Sequence, residues 1–160
     1  MSPTELHIYD LDGTLYKSPT PPVPDPTWWY HAHSFGSPKP PGYDPRWILA
    51  VVAKARSSVL SPSVRTVVIT GRRDHEPMRE KVSQVLSLTG LSFDAVRLQP
   101  VFFPGTTAQY KGAVVSRMLD KLPSVKKVVF YDDELDNHRV VGAVVKSLGL
   151  KYSGVVTPGV

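Results

Sequence analysis

Residues 6–15 read Leu-His-Ile-Tyr-Asp-Leu-Asp-Gly-Thr-Leu, so that a short apolar run leads directly into two acids, Asp10 and Asp12. The apolar part, residues 6–9, predicts a buried β-strand that ends in a polar loop. Side chains two positions apart on an extended chain point the same way, so both carboxylates can face one hard cation. Gly13 permits the sharp turn that follows. The stretch therefore predicts a strand with a functional loop at its carboxyl end.

Two further apolar runs end in polar residues. Residues 67–69 run up to Thr70-Gly71, and residues 127–131 run up to Asp132-Asp133. Weaker strand patterns cover residues 95–98 and 153–156. The three stronger runs predict buried strands, each of which ends beside residues that can carry chemistry.

Amphipathic helical patterns separate these strands. The first begins at Asp44-Pro45, an N-cap followed by a first-turn proline, and it directs Ile48, Leu49, Val52 and Ala55 inward. The others cover residues 74–88, a helix from Thr106 with Gln109 at capping-box spacing, and residues 135–148. This alternation predicts an α/β fold, a three-layer doubly wound parallel sheet that binds ligands at the carboxyl ends of its strands.

Residues 16–43 interrupt the alternation. They hold many of the 16 prolines, together with Trp28, Trp29, His31 and His33, and they show no period. A disordered linker is one interpretation, but disordered segments are poor in aromatic residues. Long loops inside compact domains are usually lids or binding loops, so we predict an ordered flap over the strand edge.

Length and composition set the broad class. A chain of 160 residues predicts one catalytic domain over residues 1–160, with the flap as an insertion. The absence of cysteine excludes disulfides, thiolate metal sites and cysteine nucleophiles. No apolar run approaches the roughly 18 residues of a membrane span, so we expect a cytoplasmic protein without a membrane partner. The sequence leaves the oligomeric state open, and a monomer is compatible with it. The net charge of +5 favours an anionic partner.

The acids after the first strand suit phosphoryl transfer. In such a reaction one carboxylate attacks phosphorus to give an aspartyl-phosphate, and a second protonates the leaving oxygen and later activates water. Asp10 suits the first role and Asp12 the second. Thr70 can donate its hydroxyl hydrogen to phosphoryl oxygens, and Lys111 supplies a fixed positive charge.

Further residues are candidates for binding the substrate and a metal ion. We expect Gly71 to offer its N–H at the start of the following helix, and Arg72 to match the geometry of a phosphate. The candidate substrate-binding residues are Gly13, Thr14, Gly71 and Arg72. Mg²⁺ prefers carboxylate oxygens, water and substrate phosphate as ligands. The candidate metal ligands are Asp10, Asp12, Asp132 and Asp133, with the division between the last two left open.

In their order along the chain, four segments resemble the motifs of the haloacid dehalogenase (HAD) superfamily: Asp10-Leu-Asp-Gly-Thr-Leu, Val-Ile-Thr70-Gly-Arg, Tyr-Lys111-Gly and Phe-Tyr-Asp132-Asp133. The resemblance covers nearly the whole chain. It implies a Rossmannoid fold with Mg²⁺ as cofactor and a phosphatase activity. It also implies Asp10 as nucleophile, Asp12 as acid/base, Thr70 and Lys111 at the phosphoryl group, and Asp133 as the main fourth-motif metal ligand with Asp132 in support.

A narrower resemblance is to the HAD domain described as Swiss Army Knife RNA repair-like. It is carried by the proline-rich segment from Leu15 through Trp28, by Asp44-Pro-Arg-Trp-Ile-Leu, and by Tyr131-Asp-Asp followed by His138. The paired tryptophans lie earlier than this resemblance leads us to expect. It implies a phosphatase that acts on nucleic-acid end phosphates, such as a 3′-phosphate of RNA or DNA.

Parts of the same pattern also occur in proteins with other functions. A phosphatase for nucleotides or small metabolites is the main alternative. A receiver-like signalling domain would need an Asp directly after a middle strand, and none follows residues 96–98. A catalytically silent nucleic-acid-binding domain would have no need of the acids, threonine and lysine together. His31, His33 and His138 are assigned to packing or surface positions, because a lone histidine more often has such a role.

Overall fold

The computed structural model describes residues 2–159. Its centre is a parallel sheet of five strands in the order β3-β2-β1-β4-β5. The strands are β1 (Glu5–Tyr9), β2 (Val64–Arg73), β3 (Ala95–Gln99), β4 (Lys127–Asp132) and β5 (Lys151–Val156). The predicted α/β fold class is confirmed. Because β1 lies between β2 and β4, the acids that follow it emerge at the middle of the carboxyl edge.

Four helices cover the two faces of the sheet: α1 (Leu49–Leu60), α2 (Glu76–Ser87), α3 (Thr107–Asp120) and α4 (Leu135–Ser147). The hydrophobic core between the sheet and helices α1 and α2 includes Val52 and Val82. The core on the opposite face of the sheet includes Val115 and Val141. Each strand-to-strand connection therefore leaves an apolar helix face against the sheet, which gives three layers. Within residues 2–159, no helix has the length and apolar composition that crossing a membrane requires.

The start of α1 differs from the prediction. Asp44 does not cap the helix, which begins only at Leu49. Its carboxylate instead accepts hydrogen bonds from the Arg46 backbone N–H at 3.0 Å and from the Tyr16 hydroxyl at 2.8 Å. Leu49, predicted to face inward, is 59% exposed. The aspartate thus closes a local turn that holds the flap, and the helix begins one turn later.

The flap, residues 16–43, folds against the α1 and α2 side of the sheet. It contains two short 3₁₀ helices, Trp28–Tyr30 and Ala32–Phe35. Tyr16 and Phe35 are buried in the core, and the Tyr16 ring packs edge-on against Trp47 at 4.8 Å. The flap therefore contributes core side chains, which fix its position at the carboxyl edge of the sheet.

The start of α3 tests how helix capping supports the fold. The Thr106 hydroxyl accepts from the Gln109 N–H at 3.1 Å, and the Gln109 side chain accepts from the Thr106 N–H at 2.9 Å, as the spacing predicted. We expect Thr106→Ala to lower the free energy of unfolding by about 1 kcal/mol in urea denaturation. Ser57→Ala, at an exposed position in α1, is the control and should change it far less. Equal effects of the two changes would contradict the capping role.

Candidate active site

Lys111 lies between two buried acids. Its Nζ donates to Asp10 Oδ1 at 2.9 Å and to Asp132 Oδ2 at 2.6 Å. The three residues come from α3, the end of β1 and the end of β4, and neighbouring strands bring the two carboxylates together. Burial disfavours the charged ammonium, but Asp10 and Asp132 more than compensate and raise the pKa of Lys111 above its usual range. The lysine is therefore a fixed positive charge.

Asp10 has a carboxyl group that burial disfavours in its charged form. Burial raises the pKa of Asp10 well above its ordinary value; Lys111 opposes this effect, and the nearby charges of Asp132 and Asp133 add to it. Thr14 donates its hydroxyl hydrogen to Asp10 Oδ2 at 3.2 Å. The carboxylate is thus held in one orientation by partners on both oxygens.

Asp132 and Asp133 differ in their surroundings. Asp132 is fully buried and accepts hydrogen bonds from the Asn137 side chain at 3.1 Å and from the Glu134 backbone at 2.9 Å. Asp133 is half-buried and faces the cavity beside Asp10. Burial raises the pKa of Asp133, and the nearby charges of Asp132 and Glu134 add smaller contributions. Of the two acids, Asp133 is the one open to a ligand in the cavity.

The acids fit a hard divalent cation. Asp10, Asp132 and Asp133 place carboxylate oxygens within 4.8 Å of one another, and Lys111 pairs with the first two of these acids. Burial, and to a lesser degree repulsion between neighbouring carboxylates, raises the pKa values of Asp10 and Asp133. An all-oxygen donor set of this kind suits Mg²⁺. The Asp12 carboxylate, a predicted metal ligand, lies outside this group of three.

Asp12 is paired with Arg72 instead. Arg72 Nε donates to Asp12 Oδ2 and its Nη2 donates to Asp12 Oδ1, both at 2.8 Å, and Ser18 also donates to Oδ1. The geometry is the two-point pairing of a guanidinium with a carboxylate, which fixes orientation as well as charge. Arg72, predicted as a substrate-binding residue, is buried and holds the carboxylate of Asp12.

The flap encloses this arginine. Its guanidinium lies 3.9 Å from the centre of the Phe35 ring and 5.1 Å from that of Trp29. It also donates to the Trp29 carbonyl at 3.2 Å and to the Ser34 hydroxyl. Cation–π and hydrogen-bond contacts compensate for burying the charge. The flap is therefore coupled to Asp12 through Arg72.

The prediction that Gly71 lies at the start of a helix was wrong. β2 continues through Arg73, and α2 begins at Glu76, because an irregularity in the pairing with β3 carries the strand past Thr70. A Cβ on Gly71 would lie 2.8 Å from the Thr107 side chain, so glycine lets the first turn of α3 approach β2. The Gly71 N–H therefore has no helix dipole behind it.

Gly13 and Thr14 support the loop that follows β1 without lining the cavity. Gly13 has a φ of +77°, and a Cβ there would lie 2.5 Å from Asp133 Oδ2, so both its conformation and its space require glycine. Thr14 is fully buried and shares a hydrogen bond of 2.9 Å with the Thr157 hydroxyl. Neither residue is part of the cavity lining, in contrast to their predicted contact with substrate.

Sequence reasoning missed the residues that brace the site from distant segments. Thr157 donates its hydroxyl hydrogen to the Gly13 carbonyl at 3.0 Å, and Asn137 holds both oxygens of Asp132. His138 donates from Nε2 to the Asp132 carbonyl at 2.8 Å and accepts from the Tyr152 hydroxyl at 2.8 Å. Thr157 and Asn137 are single polar residues without a motif. His138 follows Tyr131-Asp-Asp in the sequence, but its predicted role was packing or a surface position.

A cavity of about 290 Å³ opens at this edge of the sheet. The predicted residues that line it are Asp10, Asp12, Thr70, Gly71, Arg72, Lys111 and Asp133. Trp29, Tyr30 and Arg73 form the wall on the flap side, and the Arg73 guanidinium lies 5.1 Å from the centre of the Tyr30 ring. The cavity combines carboxylates, a lysine and aromatic surface, which suits an anionic ligand with a flat organic group.

The sequence matches a described protein family. Residues 23–152 match HAD domain family 1 in Swiss Army Knife RNA repair proteins. The chain belongs to this family. The predicted resemblance to it is thereby confirmed.

Two similar proteins are much longer than this chain. The uncharacterized protein YMR265C of Saccharomyces cerevisiae is 25% identical over 183 residues, which cover 95% of this chain and 40% of the yeast protein. A chain in the structure of the Pnkp1/Rnl/Hen1 RNA repair complex is similar with a TM-score of 0.66 and 16% identity, over 96% of this chain and 43% of that chain. This HAD domain thus spans less than half the length of either protein.

A third likeness is to an isolated HAD domain. The structure of the HAD domain of effector protein Lem4 from Legionella pneumophila is similar with a TM-score of 0.59 and 14% identity, over 99% of this chain and 88% of that chain. At these identities the structural likenesses establish a shared fold.

The raised pKa of Asp10 predicts how the site affects stability. The folded chain holds a proton on Asp10 more tightly than the unfolded chain does, so ionised Asp10 costs stability as pH rises through its folded-state pKa. In EDTA, Asp10→Asn should therefore raise the melting temperature by several degrees at mildly alkaline pH. The gain should disappear towards acid pH, where Asp10 is protonated in both states.

The matched control is Asp136→Asn, which removes the same charge from an exposed ion pair with Arg139. It should change the melting temperature little at any pH. An Asp10→Asn variant that is less stable than the parent at alkaline pH in EDTA would show that Lys111 outweighs the cost of burial. Differential scanning calorimetry across a pH series measures both variants.

Proposed function

We propose that this HAD domain is a Mg²⁺-dependent phosphatase that uses Asp10 as a covalent nucleophile. The observation that carries the proposal is the pairing of Asp10 with Lys111 at 2.9 Å on the wall of an open cavity, with Asp12 on the same wall. One carboxylate is aligned by a lysine from α3, and the other by an arginine from β2. Two carboxylates with such different partners suit two different roles.

The first chemical step forms a phosphoaspartate. An Asp10 oxygen attacks the phosphorus atom of the bound ester, the bond between phosphorus and the leaving oxygen breaks, and Asp12 gives that oxygen a proton. In the second step water attacks phosphorus, Asp12 takes the proton from water, and the Asp10 carboxylate is released with inorganic phosphate. Asp12 must therefore be protonated before the first step, and it is protonated again in the second.

Charge stabilisation falls to residues around the cavity. Lys111 and the Thr70 hydroxyl lie where they can offset negative charge on the transferring group. Asp10 and Asp133, with Asp132 in support, would hold Mg²⁺, which supplies Lewis-acid stabilisation of the phosphoryl oxygens. Arg72 fixes the orientation of Asp12 and so acts as a positioning residue for the proton transfers.

For the substrate, we propose an RNA or DNA end, most directly a 3′-phosphate. The aromatic wall of Trp29 and Tyr30 beside Arg73 supports a nucleotide next to the reacting phosphate, because bases stack on aromatic side chains. The net charge of +5 and membership of a family named for RNA repair proteins support the same class. A small phosphorylated metabolite is the competing class.

Removal of the nucleophile tests the reaction. Asp10→Asn should lower kcat for an aryl phosphate by at least about 100-fold, because an amide is a poor nucleophile. Activity of the parent should require added Mg²⁺ and be lost in EDTA. The control is Asp136→Asn, which should retain full activity. Near-parental rates in purified Asp10→Asn, with contaminating phosphatase excluded, would refute covalent catalysis by Asp10.

A substrate panel tests the leaving group. It compares 3′-phosphorylated RNA and DNA oligomers with mononucleotides, sugar phosphates and an aryl phosphate, each at several KCl concentrations. Contacts between cationic side chains and a phosphate backbone release counterions, so kcat/KM for oligomers should fall steeply with salt while that for the aryl phosphate changes little. Higher kcat/KM for mononucleotides or sugar phosphates than for every oligomer would favour the metabolite class.

A further inference from the structure

A groove outside the cavity runs along the edge strand β3 and helix α3. Two adjoining hollows, of about 300 and 180 Å³, share Arg97, Met118 and Lys121 in their walls. The larger extends to Pro100 at the carboxyl end of β3, and the smaller extends to Arg65 near its amino end. The groove therefore follows β3 over about 13 Å, taken from the rise per residue of a strand.

The groove is strongly basic. Arg65, Arg97, Arg117 and Lys121 line it and are exposed, and none of them forms an ion pair with a carboxylate in the described part of the chain. The one acid in the lining, Asp94, already accepts a hydrogen bond of 2.8 Å from the Thr66 backbone. The four cations are therefore available to an anionic partner.

Arg97, from β3, and Arg117, from α3, line the same hollow as Tyr110. Tyr110 donates to the Leu98 carbonyl at 2.7 Å, and burial raises the pKa of Tyr110 to about 12 although Arg97 and Arg117 act in the opposite direction. Together the two arginines place two positive charges in the larger hollow.

The loop between β3 and α3 connects the groove to the active site. Pro100, at its start, lines the groove, and Thr107, directly after it, lines the active-site cavity. Phe103 anchors the loop by packing edge-on against Tyr110 at 5.5 Å. Its neighbour Phe102 is 94% exposed. An exposed aromatic ring between a phosphate site and a row of cations suits stacking with a base.

We propose that this groove binds the sugar-phosphate backbone of a single-stranded RNA whose 3′-phosphate lies in the cavity, with Phe102 stacked on a base between the two. The inference rests on the proposed function and extends it. Cations from β2, β3 and α3 that line one groove, beside an exposed aromatic ring, match a chain of phosphates with flat bases. The groove lengthens the binding site beyond the terminal nucleotide.

The test uses the double variant Arg97→Gln/Arg117→Gln and a 3′-phosphorylated RNA of about 12 nucleotides, a length within the range that single-strand-binding sites cover. At low salt we expect KM for this RNA to rise by roughly tenfold, while kcat on an aryl phosphate stays unchanged. The slope of log kcat/KM against log salt should become shallower by about 1.4, the contribution of two contacts to a single strand. A 3′-phosphorylated dinucleotide should respond far less, because it is too short to reach the groove.

The matched control is Lys54→Gln/Arg56→Gln, which removes two charges from exposed positions of α1 on the opposite side of the sheet. It should leave KM for the long RNA close to that of the parent. Phe102→Ala should raise this KM without altering the salt slope, because it removes stacking but no charge. Equal effects of the two charge variants would show that only net charge matters, and they would refute the proposal that the groove binds RNA.

The possible outcomes distinguish failure of the proposed RNA-binding groove from failure of the proposed function. If the parent protein hydrolyses aryl phosphate but no phosphorylated oligomer, the nucleic-acid substrate itself is wrong. If it hydrolyses the long RNA and the Arg97/Arg117 variant is indistinguishable from the parent, the substrate class stands and the groove is not its binding surface. Tighter binding of an acidic peptide than of RNA at the groove, measured by fluorescence anisotropy, would also overturn the proposal.

Discussion

The contact of Lys111 with Asp10 and Asp132 is the interaction on which the site depends. Parallel neighbours β1 and β4 end side by side, so their terminal carboxylates meet in a buried space where like charges repel. A single ammonium group from α3 makes this arrangement stable. The position of α3 is in turn fixed by its capping box and by the glycine that lets its first turn approach β2. The Lys111 side chain is therefore important both for the stability of the fold and for the proposed chemistry.

A second ion pair gives the other acid a separate environment. Asp12 is bound at two points by Arg72, whose guanidinium is enclosed by Phe35 and Trp29 of the flap. The two acids are only two residues apart, yet one is aligned from α3 and the other from β2 and the flap. This division suits a reaction in which one carboxylate attacks and the other moves protons. It also makes the flap a structural part of the site.

The shared HAD fold supports the proposed reaction more directly than it supports the proposed substrate. The residues around Asp10 and Lys111 lie at the carboxyl edge, where any parallel α/β sheet binds ligands. In the proposed function, selectivity would depend on what surrounds that edge, which here is the aromatic wall of the flap and the basic groove along β3. Both surfaces are made of exposed side chains, so they can differ between proteins of one fold without disturbing its core.

The sequence by itself determined the alternation of strands and helices, the capping of α3, and the placement of the Asp10, Thr70, Lys111 and Asp132 segments at one edge. These features depend on local periodicity and on the rule that parallel strands share a direction. Tertiary structure alone decided that Asp12 pairs with Arg72, that Asp44 accepts from the Tyr16 hydroxyl instead of capping α1, and that Thr157 braces the Asp10 loop. Those contacts join segments far apart in the chain. A polar residue outside a motif gives no local signal of its partner, because only folding brings the two residues together.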